Sequence, residues 1–358
     1  MRSTMMIFLA VLVTCSSMSW AEAPKQNAFE IRNGVNISHW LSQSGTRGEG
    51  RKAYFTRDDV KYIASLGYDH IRLPIDEEQM FTEDGQKEPE AFALLHNALG
   101  WCEEFNLRAV VDLHILRTHH FNAAEKPLFT ESKAQEQFYE CWRKISGELK
   151  KYSVDKVAYE PMNEPVADNP EIWNVIVNRC VEVIRELEPE RTIIMGSNRW
   201  QNFATVKDLR VPENDPNIII SFHYYEPFLL THYQASWTDI KDITVPVHYP
   251  GHQIAEADLE SAGNLADAGR KIYNIDIIEN DFLQVVEVAQ KYNLKIYCGE
   301  YGCIHAAPHE DRIRWYQDLY TLFERHGIAR ANWDYKGSFA IVRHGEPQTE
   351  MMNAILGK

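Results

Sequence analysis

The chain has 358 residues, a formal net charge of −15 and 11% aromatic residues, among them 9 tryptophans. An acidic surface of this kind repels nucleic acid and anionic membranes, so the charge argues against both as partners and is compatible with a neutral substrate. A chain of this length can bury a large core, and α/β barrels of similar length often form one domain.

The first 21 residues are predicted to be a secretory signal peptide. Arg2 supplies a positive charge, and Met5 to Val13 form an apolar run that is too short to span a bilayer. Ser19-Trp20-Ala21 fits a cleavage site, which leaves 22–358 as a single domain. We therefore expect a secreted or periplasmic protein. No later stretch is long and apolar enough to predict a membrane span.

The cysteines argue against both a disulfide framework and a metal site. Cys15 lies in the signal peptide, and Thr14 stands where a lipoprotein motif usually has a smaller residue, so lipid anchoring at Cys15 is disfavoured. An odd number of cysteines remains, without Cys-x-x-Cys spacing. Buried free thiols are predicted for Cys102, Cys141, Cys180, Cys298 and Cys303. A disulfide between Cys298 and Cys303 is the open alternative.

Short apolar segments alternate with helical patterns along the rest of the chain. The predicted helices include Arg57 to Leu66, Pro89 to Phe105, Ser132 to Tyr152 and Pro170 to Glu188. The predicted strands are Gly34–Ile37, Asp69–Pro74, Arg108–His114, Val154–Ala158, Thr192–Gly196, Ile218–His223, Lys295–Glu300 and Ile328–Trp333. Eight such strands with intervening helices predict an α/β fold, a (β/α)8 TIM barrel. A doubly wound open sheet is the alternative, but no Gly-x-Gly-x-x-Gly motif follows the first strand.

One connection is far longer than a normal link between a strand and a helix. It is an insertion after the sixth strand and runs from Glu226 to about Asn274. Loops of this length are usually functional or disordered. We expect this insertion to extend over the mouth of the barrel and to contact the substrate.

Two glutamates are predicted to stand at strand ends. Asn163-Glu164-Pro165 follows the fourth strand, and Glu300 ends the seventh. The carboxyl ends of barrel strands meet at the face where such enzymes keep their chemistry. Two carboxylates there suit an acid/base and a nucleophile. The plainer interpretation of the first is an ordinary loop carboxylate beside a turn-forming asparagine.

Other polar and aromatic residues occupy the ends of further strands. Arg72 ends the second strand, His114 the third, His223 the sixth, with Tyr225 just beyond, and Trp333 the eighth. Each has an ordinary structural explanation, such as a surface ion pair, a core histidine or core filling. Their common position at strand ends favours a functional site instead.

These residues resemble those of glycoside hydrolase family 5, and the resemblance runs from Gly34 to Trp333. The family's set of Arg, His, Asn-Glu, His-x-Tyr, Glu and Trp matches, in order, Arg72, His114, Asn163-Glu164, His223 with Tyr225, Glu300 and Trp333. The segments 222–228, 247–251 and 297–302 look like those of compact bacterial endoglucanases of the clostridial type. Such enzymes act on β-1,4-glucan and mixed-linkage β-glucan.

The resemblance implies a retaining hydrolase that needs no cofactor and no metal, with Glu164 as acid/base and Glu300 as nucleophile. Arg72 and Tyr225 are suited to keeping the nucleophile charged, and Asn163 to binding the 2-hydroxyl of the sugar. His223 would hydrogen-bond Glu164, His114 a sugar hydroxyl, and Trp333 would present its flat face to the sugar. Weaker candidates for substrate contacts are His39, Trp40, Trp237 and Lys336.

Several alternatives stay open from the sequence. Family 5 also contains exo-β-1,3-glucanases, β-mannanases and β-glucosidases, so linkage and endo or exo action are undetermined. A non-catalytic glycan-binding barrel is more remote, because binding does not need both carboxylates. A metal hydrolase is disfavoured because no His-Glu-x-x-His or His-x-His spacing is present. A monomer is favoured, with β-glucan as the expected partner.

Overall fold

The computed structural model describes residues 27–358, so the predicted signal peptide and Cys15 lie outside the described part of the chain. Eight parallel strands close into a barrel in the order β1-β8-β7-β6-β5-β4-β3-β2, so that each strand pairs with its neighbours in sequence. The strands are β1 (Asn33–Asn36), β2 (His70–Asp76), β3 (Arg108–Ile115), β4 (Val157–Glu160), β5 (Ile193–Gly196), β6 (Ile218–Tyr224), β7 (Lys295–Tyr301) and β8 (Ala329–Asn332). The predicted (β/α)8 barrel is confirmed.

Helices follow most of the strands. The longer ones are α1 (Arg57–Leu66), α2 (Pro89–Glu104), α3 (Ser132–Leu149), α4 (Pro170–Leu187), α5 (Ile275–Tyr292), α6 (His309–His326) and α7 (Thr349–Leu356). Short helical turns occur at Glu49–Tyr54, Glu77–Met80, Asn198–Gln201, Phe228–Thr231, Leu259–Ala262 and Ala266–Gly269. The link from β5 to β6 departs from the alternation, because the 3-10 helix Phe203–Asp208 packs against α5 where an α-helix was expected.

The sequence sets the ends of α1 directly. Thr56 is the N-cap, and its side chain accepts the Asp59 N–H while the Asp59 carboxylate accepts the Thr56 N–H. This capping box satisfies two donors at the start of the helix. The helix ends at Gly67, whose φ of 95° lies in the region that favours glycine.

The strand register brings the polar positions together. Asp112 of β3 pairs with Glu160 of β4, and His223 of β6 pairs with Glu300 of β7. One prediction needs correction, because β4 ends at Glu160 and not at the Asn-Glu-Pro segment. Glu164 therefore stands in a loop beyond the strand.

The long connection of residues 226–274 forms a small substructure of its own. It contains an antiparallel pair of two-residue strands, Gly251–His252 with Ile272–Tyr273. The Tyr249 hydroxyl fastens it to α6 by donating to Asp318 at 2.6 Å. Its first part, from Glu226 to Asp239, borders the cleft described below. The expected position over the barrel mouth thus applies to this first part.

The five described cysteines are all free and buried, so the alternative of a pair between Cys298 and Cys303 is wrong. Over residues 27–358, none of the helices combines the length and the apolar character needed to cross a bilayer.

Candidate active site

Glu164 and Glu300 face each other at the C-terminal end of the barrel. Glu300 belongs to β7, and Glu164 lies in the loop after β4 with a φ of 45°. An oxygen of each carboxyl group and a ring nitrogen of His223 lie within 4.8 Å of one another, and Nδ1 of His223 is 3.0 Å from Glu164 Oε1 and 3.7 Å from Glu300 Oε2. This proximity is compatible with the carboxyl separation of about 5–5.5 Å that retaining glycosidases use.

Arg72 is a buried cation that contacts several carboxylates at once. Its Nη1 donates to Glu300 at 2.7 Å, and its Nε donates to Glu160 at 2.7 Å. Its Nη2 lies 3.0 Å from Asp112 Oδ2 and donates to the Asn163 side-chain oxygen at 2.9 Å. The planar, forked guanidinium makes these simultaneous contacts geometrically possible. Because the oxygen of Asn163 is engaged, its amide nitrogen is the atom that remains to bind a sugar hydroxyl.

The surroundings of Glu300 favour a charged carboxylate more than burial alone would allow. Burial raises the pKa of Glu300, but the adjacent Arg72 guanidinium opposes that shift. The Tyr225 hydroxyl also donates to Glu300 Oε2 at 2.9 Å, which stabilises the ionised form. A carboxylate held in this way is suited to act as a nucleophile.

The surroundings of Glu164 favour a proton. Burial and the negative charge of Glu300 raise the pKa of Glu164 well above its usual range. Nδ1 of His223 forms a 3.0 Å hydrogen bond with Glu164 Oε1. Burial and the Arg72 charge keep the pKa of His223 well below its usual range, so this imidazole stays neutral and adds no positive charge. A protonated carboxyl group is suited to act as a general acid.

His114 and Trp333 form a stacked pair beside the two glutamates. Their rings are nearly parallel, at 8°, with centroids 5.6 Å apart. Nδ1 of His114 is hydrogen-bonded to Asp112 at 2.7 Å, which leaves Nε2 for a substrate hydroxyl. Burial lowers the pKa of His114 to about 3, so the ring is neutral at physiological pH. The tryptophan lines the cleft, as predicted for a sugar platform.

The two glutamates line a cleft of about 1120 Å³. Large exposed aromatic side chains form part of its walls, namely Phe228, Trp237 and Trp200, which are 41%, 52% and 43% exposed. Exposed apolar surface that is gathered in one groove marks a binding site. His39, another predicted contact, is exposed and lines the same cleft. Trp200 was not predicted, although a tryptophan shortly after the fifth strand was visible in the sequence.

Two predicted substrate contacts are wrong. Trp40 is only 1% exposed, and its Nε1 donates to the Arg51 carbonyl at 2.8 Å while its ring packs on Phe55. It is therefore a core residue. The Lys336 amine lies 2.8 Å from Asp59 Oδ1 and does not line the cleft.

Sequence reasoning also missed residues that support the site from below. Glu160 and Asp112 are fully buried partners of Arg72, and Gln201 donates to Glu160 at 3.0 Å. Asn36 accepts from Arg72 Nη1 at 2.9 Å. Asn36 and Glu160 are the last residues of β1 and β4, and Asp112 lies three residues before the end of β3, so their polar character near strand ends was the available indication.

Glu164, His223 and Glu300 also form a group whose donor atoms lie close enough together to hold a metal ion. The same atoms already bind one another and the Tyr225 hydroxyl. Burial and the charges of Glu300 and Arg72 shift the pKa values of the three side chains differently, which suits acid/base and nucleophilic chemistry.

Comparison with known proteins agrees with the barrel fold. A family model described as cellulase (glycosyl hydrolase family 5) matches residues 31–338. Endoglucanase C of Acetivibrio thermocellus is 29% identical over 317 residues, which cover 86% of this chain and 91% of that protein. Cellodextrinase A of Ruminococcus flavefaciens is 31% identical over 304 residues, 84% of each chain. A solved hyperthermophilic endo-β-1,4-glucanase, in complex with substrate, has a TM-score of 0.76 at 25% identity and covers 92% of this chain and 97% of its own. The chain belongs to glycosyl hydrolase family 5, the cellulase family.

Proposed function

We propose that this protein is an endo-β-1,4-glucanase that cleaves cellulose-like or mixed-linkage β-glucan with retention of configuration. The observation that carries the proposal is the pair Glu164 and Glu300, close together but in unequal electrostatic surroundings. The relatives named endoglucanase and endo-β-1,4-glucanase support the choice of substrate. The aromatic-walled cleft of about 1120 Å³ suits a polymer better than a single sugar.

In the first step, the Glu300 carboxylate attacks the anomeric carbon and forms a glycosyl ester as the bond to the glucosidic oxygen breaks. Glu164 gives its proton to that oxygen, so the leaving chain departs as an alcohol. Arg72 and Tyr225 orient the attacking carboxylate through their hydrogen bonds to its two oxygens.

In the second step, Glu164 is a carboxylate and acts as a base. It takes a proton from a water molecule, the water oxygen bonds to the anomeric carbon, and Glu300 leaves as a carboxylate. Two inversions give net retention. The Asn163 amide would bind the sugar 2-hydroxyl, and Trp333 would pack under the ring, supported by His114.

Two variants and azide distinguish the roles of the two glutamates. In Glu300→Gly, azide should attack from the vacated face and yield the α-configured glycosyl azide. Glu164→Ala should keep first-step activity on aryl cellobiosides with good leaving groups, because such groups need no proton, and azide should there give the β-configured product. The opposite pair of products would reverse the assignment.

Substrate preference is tested by product profiles on barley β-glucan, carboxymethylcellulose, laminarin and mannan, run side by side. We expect internal cleavage and faster hydrolysis of the two substrates that contain β-1,4-glucosidic bonds. Faster hydrolysis of laminarin or mannan would instead support the exo-β-1,3-glucanase or β-mannanase alternative. Release of single glucose units from chain ends would support a β-glucosidase.

We also propose that the protein is exported and that residues 1–21 are removed. The positive Arg2, the apolar run and the Ser19-Trp20-Ala21 site support this proposal. N-terminal sequencing of the protein from its native compartment should begin at Glu22. A protein that keeps Met1 would contradict export by this route.

A further inference from the structure

The loop that carries Glu164 needs support, because its backbone is unfavourable. A φ of 45° places Glu164 in the left-handed region, which costs a residue other than glycine about 1 kcal/mol or more. The carbonyl oxygen of Glu164 lies 3.3 Å from Nε2 of His119. His119 does not line the cleft, so it contacts the acid/base residue from behind.

His119 is itself held rigidly. It lies just beyond β3 and exchanges two backbone hydrogen bonds with Leu116, at 2.9 and 3.1 Å. Its side chain is buried, at 1% exposure, and meets the ring of Phe129 edge-on at 5.1 Å. A ring fixed in this way can hold a neighbouring peptide group in place.

The protonation state of His119 determines which group donates in its hydrogen bond with the Glu164 carbonyl. Burial lowers the pKa of His119 to about 4, so the imidazole is neutral and carries one proton. A carbonyl oxygen can only accept, so that proton must be on Nε2. Nδ1 has no hydrogen-bond partner in the described part of the chain, which fits a bare acceptor nitrogen.

The neighbouring peptide groups are anchored from other elements. The Trp142 side chain on α3 donates to the Pro161 carbonyl at 2.9 Å, and the Trp200 backbone N–H donates to the Pro165 carbonyl at 3.3 Å. The His119 contact is made at the backbone carbonyl of Glu164 itself. We propose that His119 is a positioning residue for the general acid/base, acting through the Glu164 peptide group. This inference rests on the proposed role of Glu164.

A matched pair of variants tests the proposal. Glutamine and methionine are unbranched and similar in size, but the glutamine amide in His119→Gln can still donate to the carbonyl and the thioether in His119→Met cannot. In His119→Met, kcat/KM on barley β-glucan should fall about 10- to 100-fold. On 2,4-dinitrophenyl β-cellobioside it should change by less than about threefold, because that leaving group needs no proton. Azide should raise kcat of this variant on the aryl substrate, because azide needs no base. His119→Gln should stay close to the wild type in all three measurements.

His96 provides the control. It is half-buried and bound to Tyr152 and Glu148, at 2.8 and 2.9 Å, and it does not line the cleft. His96→Met should show neither the difference between substrates nor azide activation. Equal losses on both substrates for His119→Met, or the same behaviour of the Met and Gln variants, would overturn the proposal.

Glu164→Ala tests the acid/base role of Glu164 separately from the positioning role of His119. If it shows the difference between substrates and His119→Met does not, the positioning role is wrong and the proposed function stands. If Glu164→Ala lacks that difference, the assignment of Glu164 as acid/base is wrong, and the positioning role is wrong with it.

Discussion

Replacement of Arg72 by methionine should damage both the stability and the nucleophile of this enzyme. The guanidinium is fully buried and contacts the carboxyl groups of Glu300, Glu160 and Asp112, each at 3.0 Å or less. Removing one partner of a buried ion pair costs about 3–5 kcal/mol, because the remaining charge is left uncompensated. The equilibrium constant for folding should therefore fall by roughly a hundredfold to a few thousandfold.

The same change should move the pH dependence of catalysis. The Arg72 charge opposes the effect of burial, which raises the pKa of Glu300. Without that charge the pKa of Glu300 rises further, so the nucleophile is ionised only at higher pH. The acid limb of the pH profile of kcat/KM should shift to higher pH. Arg72→Lys keeps a positive charge but lacks the fork that spans three carboxyl groups, so we expect an intermediate result.

Urea unfolding followed by tryptophan fluorescence measures the first effect. The second is measured by kcat/KM on an aryl cellobioside between about pH 4 and 8, a range that begins near the ordinary carboxyl pKa and extends to higher values. Tyr225→Phe is the control, since it removes a neutral donor to Glu300 and leaves the cation in place. Its acid limb should move less than that of Arg72→Met. An Arg72→Met protein with the unfolding midpoint and acid limb of the wild type would refute this reasoning.

Three further results are expected. Trp237→Ala should raise KM for cello-oligosaccharides about tenfold with little change in Tm, because this side chain lines the cleft and is 52% exposed. A lower Tm with unchanged kinetics would show that Trp237 has a structural role instead. Trp40→Phe should leave KM unchanged and destabilise the fold by about 1–3 kcal/mol, since the Arg51 carbonyl loses its donor; a higher KM would restore it as a substrate contact. Burial lowers the pKa of His232 to about 3, whereas its ordinary value in the unfolded chain is about 6.5. Between these two pH values His232 is protonated in the unfolded chain but not in the folded one. The free energy of unfolding therefore falls as the pH falls through this range. His232→Phe should lose less stability than the wild type between pH 7 and 4 in urea unfolding, whereas parallel losses would contradict this sign.

Most of the barrel could be predicted because local pattern and fold agree. The apolar runs of the parallel strands are buried on both sides, and α1 carries its own capping box and terminal glycine. The β5–β6 link could not be predicted, because the choice of a 3-10 helix there depends on packing against α5, which is far away in sequence. The helix propensity of the residues in this link gives no information about that distant contact.

The site could be predicted where position on a strand determines direction. Arg72, His114, His223 and Glu300 lie on strands, and the end of a parallel strand points to one face of the barrel. Trp40 lies beyond β1, where the chain turns, and its ring points back to the core instead of the cleft. Position along the chain alone could not determine that orientation.

The buried partners of Arg72 were missed for a different reason. Asp112 stands inside β3 and Glu160 is the last residue of β4, and a carboxylate is seldom fully buried unless it is paired. They are tolerated because Arg72 and Gln201 meet them from other strands and loops. Those partners are distant in sequence, so only the closed barrel shows the network.

The charge balance of this network explains how Glu164 can serve first as an acid and then as a base. Burial raises the pKa of Asp112, Glu160, Glu164 and Glu300 alike, and Arg72 contacts all of them except Glu164. Four ionised carboxylates around a single cation would be too costly to bury, so a proton is retained where compensation is weakest. That place is Glu164, whose neighbours are a neutral His223 and a negative Glu300.

Formation of the glycosyl ester removes the negative charge of Glu300 and with it one cause of the raised pKa of Glu164. The pKa of Glu164 should therefore fall in the intermediate, so that the group which has just lost a proton remains a carboxylate and can accept one from water. Trapping the intermediate with a 2-deoxy-2-fluoro cellobioside and titrating ¹³C-labelled glutamate by NMR would measure the change. The Glu164 resonance should titrate at lower pH in the trapped enzyme than in the free enzyme. An unchanged midpoint would mean that the charge of Glu300 does not control the protonation of Glu164, because the ester has lost that charge while burial persists.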